Sequence, residues 1–133
     1  MSIKLKGALI AVIILLMVPL YQIGSVMLSD SADYTKTDWL KFKLLAPDSI
    51  KSAPQLDDAR VIHYRAADGN SPQVDEIEYK PDVATSALEN YLISLGYRQS
   101  DDPVFGKRWV KDGSSISAFI AKTDSSVLLT FTE

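Results

Sequence analysis

Residues 7–28 read GALIAVIILLMVPLYQIGSVML, twenty-two consecutive positions without a charge. A helix rises about 1.5 Å per residue, so this run makes a rod of about 33 Å, enough to cross a hydrocarbon core of about 30 Å. A cleaved secretory signal has a shorter apolar region of about 7–15 residues, followed closely by a small-x-small site. Here the nearest such site, Ser29-Asp30-Ser31, lies beyond the whole run. The stretch reads as an uncleaved single transmembrane helix, with residues 1–28 forming a cytoplasmic tip and membrane anchor.

Lys4 and Lys6 precede the span, and the next basic residue after it is Lys36. By the positive-inside rule the N-terminus is expected in the cytoplasm. The rest of the chain then lies on the periplasmic or extracellular side of an inner (plasma) membrane. Pro19, Gln22 and Gly24 interrupt the aliphatic run and are candidate contacts to another membrane helix. The chain has no Cys, which excludes lipoprotein processing and S-palmitoylation.

Setting aside Lys4 and Lys6 leaves 12 basic residues against 17 acidic ones, a net charge of about −5. Such a domain repels phosphate backbones, so nucleic acid is not an expected partner. A basic protein partner is electrostatically compatible. An ordinary soluble surface carries a charge of this size as well.

Residues 29–38 (SDSADYTKTD) are polar and read as a linker, with residues 39–133 as one extracytoplasmic domain. In Trp39–Leu45 (WLKFKLL), Leu40, Phe42 and Leu44 alternate with Lys41 and Lys43. An amphipathic helix lying on the membrane surface is one reading. The strict period of two favours a half-buried strand. Residues 60–65 and 74–80 predict a hairpin around the turn cluster Asp68-Gly69-Asn70-Ser71-Pro72. Ala84, Ala87, Leu88, Tyr91, Leu92 and Leu95 recur at helical spacing, with Asp82 as expected N-cap and Gly96 as stop. Residues 107–111, 115–121 and 127–132 predict three more strands, the first two joined by Asp112-Gly113. The expected order is β-β-β-α-β-β-β. That is an α+β two-layer domain with a mainly antiparallel sheet and one packed helix.

Catalytic motifs are sparse. His63 is the lone histidine, set mid-strand between Ile62 and Tyr64. No zinc-type ligand set, nucleophile elbow or phosphate loop is present in the sequence. Carboxylate pairs occur at Asp57-Asp58, Glu76/Glu78 and Asp101-Asp102. The first and last read as turn residues, and the glutamates as a polar strand face. Neither a cofactor nor a metal is expected, and no residue is assigned a catalytic role. Trp109, Arg108, Lys111 and Tyr97 combine aromatic and basic character and are the candidate partner-binding residues.

The arrangement of one anchor, a polar stretch and a small acidic domain resembles bacterial envelope accessory proteins and some membrane-tethered immunity proteins. The likeness is of architecture only and carries no residue across. The expectation is a non-enzymatic protein-binding module in the cell envelope. Its partner would be another envelope protein or a secreted toxin, with toxin immunity one concrete version. The alternative is a small accessory subunit of an inner-membrane complex, held through its transmembrane helix.

Overall fold

The computed structural model describes residues 2–57, 60–102 and 106–133, with Asp102 described by its backbone alone. Helix α1 (Ile3–Met27) contains the whole apolar run up to its final turn. Its side chains stay exposed almost throughout, and it is long and apolar enough to span a membrane. A soluble helix with this composition would bury itself in a core. Pro19 lies inside α1. Lacking an N–H, it leaves the Leu15 carbonyl without its usual helical donor.

Seven strands form a single sheet in the order β1-β2-β3-β7-β6-β5-β4, with every pairing antiparallel. They are β1 (Ser31–Tyr34), β2 (Val61–Arg65), β3 (Val74–Tyr79), β4 (Arg98–Asp102), β5 (Gly106–Val110), β6 (Ser117–Lys122) and β7 (Val127–Thr132). Two meanders, β1-β2-β3 and β4 to β7, are joined by helix α4 (Thr85–Ser94) and meet where β3 pairs with β7. The α+β architecture is the one the pattern of residues implies.

Alternation along the strands sorts side chains into two faces. Tyr34, Ile62, Ile77 and Leu129 occupy one register row and are buried. Leu88 and Leu92 of α4, together with Ile50 of the short helix α3 (Asp48–Lys51), complete the same cluster. The opposite face carries Asp33, His63, Glu76, Thr130 and Phe119 in one row. Every member of that row except the exposed Asp33 is half-buried.

Three local expectations are corrected. Trp39–Leu45 is helix α2, not a strand. Phe42 and Leu45, three apart, pack on the core, while Trp39 and Lys43, four apart, are exposed. Residues four apart share a helical face, so Leu40 and Leu44 lie together on a third side. The alternation came from apolar side chains on two flanks of one helix. Second, Ser31–Tyr34 is not linker but edge strand β1, paired to β2 from Ser31↔Arg65 to Tyr34↔Ile62. Third, α4 starts at Thr85 with Ala84 at its cap position, because Lys80–Val83 forms its own turn, closed by Val83 N–H to Lys80 C=O. Asp82 is therefore not the N-cap of α4.

Candidate functional site

On the half-open sheet face, His63 lies between two carboxylates. Its Nδ1 is 2.6 Å from Asp33 Oδ1 on β1, and its Nε2 is 2.7 Å from Glu78 Oε2 on β3. Carboxylates accept and do not donate, so in the protonated ring both nitrogens donate, one to each carboxylate. Partial burial opposes that charge, but the hydrogen bonds the ring donates to Asp33 and Glu78 outweigh it and raise the His63 pKa above its ordinary 6.5. Glu76, opposite His63 in register, accepts instead from Thr130 Oγ1 at 2.7 Å. With both nitrogens engaged, the ring has no free lone pair to take a substrate proton. The carboxylates lie on opposite sides of the ring and do not converge on one ion. Among the described residues no group of three or more His, Cys, Asp and Glu is placed to hold a metal.

A second polar feature sits at the end of the inner face. Asp75 occupies an inward position of β3, between Tyr64 and Phe131 in register, and is only 5% exposed. Its Oδ2 accepts from Gln73 Nε2 at 3.0 Å, while its Oδ1 has no hydrogen-bond partner among the described residues. Burial raises the Asp75 pKa above its usual 3.8, and the Gln73 hydrogen bond only partly opposes this. Asp75 lines a cavity of about 190 Å³ together with Ser49, Gln73, Phe131, Thr132 and Glu133. Half-exposed Ile116 lies at its rim. Among the described residues, two carboxylates and no basic side chain line this space. An ammonium or guanidinium group would supply the missing partner.

Buried Arg60 fixes the loop beside this core. Its Nη1 donates to the Ala53 carbonyl at 3.0 Å. Tyr79 OH donates to Pro54 C=O at 2.8 Å, and Tyr91 OH to Ser49 C=O. Desolvation pushes the Tyr79 pKa up to about 12 despite the opposing pull of Arg60. These hydroxyls remain neutral donors that pin the loop to the sheet.

The four partner-binding candidates separate. Trp109 and Tyr97 are core residues, 7% and 8% exposed, and Tyr97 meets the Phe131 ring edge-on. They are too buried to form a partner surface. Lys111 reaches back over the Tyr97 ring at 6.0 Å. Arg108 points to the opposite face from Trp109 and is half-buried, opposite Ser100 in the β4–β5 pair. Among the membrane-contact candidates, Gln22 borders a cleft between α1 and α2, whereas a side chain at Gly24 would meet nothing within 4 Å. Asp101 belongs to strand β4 and not to a turn, because it pairs with Lys107. Asp57 accepts from the Lys80 amide at 2.6 Å. Asp58 and Pro103 lie outside the described residues, as does the Asp102 side chain.

Sequence reasoning passed over Asp75, which looks like one more charge in VDEIEYK. Its signal was positional: 75, 77 and 79 share one strand face, so the face of Ile77 and Tyr79 carries an acid. No family model, no curated protein and no solved structure matches the chain.

Proposed function

We propose that this chain is a membrane-tethered, non-enzymatic protein-binding module of the bacterial cell envelope. In this reading α1 spans the inner membrane with its N-terminus in the cytoplasm, and the acidic domain faces the periplasm or cell exterior. The partner is another envelope protein or a secreted toxin, and it presents a basic side chain to the Asp75 cavity. Immunity against such a toxin is the concrete version of this role.

The observation that supports the reading best is the buried Asp75 carboxylate, which lines a cavity and has one oxygen without a hydrogen-bond partner among the described residues. Leaving a buried charged acceptor unsatisfied costs stability in the free protein, and a bound cation would offset that cost. The engaged ring nitrogens of His63 also leave the molecule's single imidazole poorly suited to acid–base work.

The test is crosslinking in intact cells, followed by capture of the full chain with and without Asp75→Asn. A partner recovered with the unaltered chain and at least about tenfold depleted with the variant fits a buried charge pair. Equal recovery with both chains removes the Asp75 cavity from the interface.

The alternative, a subunit held through α1, draws on the open approach at Gly24. Exchanging α1 for an unrelated span separates the two. A tethered binder keeps its function, and a helix-held subunit loses it.

A further inference from the structure

We propose that α2 is seated in the interface of the same bilayer that α1 crosses, with Trp39 turned toward lipid. The inference rests on reading α1 as a membrane span.

Three observations carry it. First, α2 packs against the last turns of α1. Val26 is the buried residue of α1, and Gln22, Ser25 and Val26 face Thr37–Lys41 across a shared cleft. Gln22 lies six residues before Leu28, so the contact sits about 3–9 Å below the end of the apolar rod. A bilayer spanned by that rod places the start of α2 at its headgroup boundary.

Second, the two flanks of α2 differ in what covers them. At about 100° per residue, Phe42 and Leu45 point one way, while Trp39, Lys43, Leu40 and Leu44 spread over an arc centred about 160° away. The first flank belongs to the domain core. On the second, Trp39 is 67% exposed and Lys43 is exposed, while Leu40 and Leu44 are half-buried and Leu40 borders the cleft with α1. An indole ring that exposed is a poor surface residue in water and a favoured one at a membrane boundary, where its ring is buried and its N–H stays hydrated.

Third, the chemistry around Trp39 is graded as an interface requires. Tyr21 on α1 is also highly exposed and precedes the contact region by one residue, adding a second belt-type aromatic. Lys43 stands between Trp39 and Leu44 on the outer arc, with a stem long enough to lie along acyl chains and an ammonium that reaches the phosphates.

The test uses the full chain reconstituted in vesicles of phosphatidylcholine and phosphatidylglycerol. Trp39 emission is isolated as the difference between the unaltered protein and Trp39→Phe. Trp109→Phe, which leaves Trp39 as the sole indole, supplies the same reading if the first variant reconstitutes poorly. Seating predicts blue-shifted emission, quenched about twofold by lipids brominated high in the acyl chain and insensitive to aqueous iodide. Iodide quenching without lipid quenching overturns it. Alkaline carbonate extraction of the same vesicles separates the two failures. A chain that resists extraction with Trp39 in water keeps the anchor and loses the seated helix, whereas an extracted chain overturns both.

Discussion

His63 on β2 and Asp33 on β1, thirty positions apart in the chain, are joined by a 2.6 Å contact. It clips a four-residue edge strand to the sheet, and Glu78 holds the other side of the ring. The His63 pKa is raised in the folded protein by these two acceptors against desolvation. Folding therefore takes up protons in the window above 6.5. The clip contributes fully below that value and is lost as pH rises through the folded pKa. The melting temperature is expected to fall between slightly acidic and alkaline pH. His63→Gln should flatten that slope, as a melting series across this range will read. Because Asp33 is largely exposed, added salt should reduce the effect.

Asp75 follows the same sign for a different reason. Its pKa is raised by burial, so its contribution is most favourable below 3.8 and declines as pH rises through the folded value. Asp75→Asn is expected to stabilise the free protein at neutral pH by on the order of 1 kcal/mol, while weakening partner capture. Chemical denaturation of both forms checks the first part. A variant less stable than the original would mean that the carboxylate is better satisfied than its surroundings indicate.

Arg60 ties the loop carrying Ala53 to the core through a buried guanidinium. Arg60→Ala should cost about 2–3 kcal/mol, because it removes a charged donor and strands the Ala53 carbonyl. Urea unfolding at neutral pH measures this.

Gly96 ends α4 with φ +92, and the Tyr97 amide donates back to the Leu92 carbonyl at 3.0 Å. A Cβ there would meet only the flexible Lys111 side chain, at 3.5 Å. The penalty of Gly96→Ala is thus conformational, about 1–2 kcal/mol. Gly96→Asn should recover part of it, since Asn tolerates this region better, and thermal melts of the pair distinguish backbone strain from packing.

Elements with a local signature were legible in the residues. Helix α4 shows its apolar spacing and its Gly96 stop, and the hairpin turns carry Gly69 and Gly113 at positive φ. What escaped was decided by distant partners. SADY has no apolar period. It becomes a strand because Tyr34 drops into the core beside Ile62 while Asp33 reaches His63. In WLKFKLL, Leu40, Phe42 and Leu44 satisfy a strand pattern, yet α1 and the core claim different sides of a helix. Trp109 could have faced either way from its own sequence. Pairing with Ala118 places it inside and leaves Arg108 outside. Of the site, His63 was visible but its two acceptors were not, because strand register sets that geometry.

The chain between the end of α1 and the first strand is very short. Ten flexible residues would let a domain wander about 35 Å from its anchor, but Leu28, Ser29 and Asp30 allow about 10 Å. The volume the domain can sample shrinks by about fortyfold, as the cube of that ratio. The contact between α1 and α2 narrows that freedom further, because it ties the last turns of α1 to a helix whose Phe42 and Leu45 belong to the core. In the membrane-spanning reading of α1, that short connection holds the domain as a collar close to the bilayer.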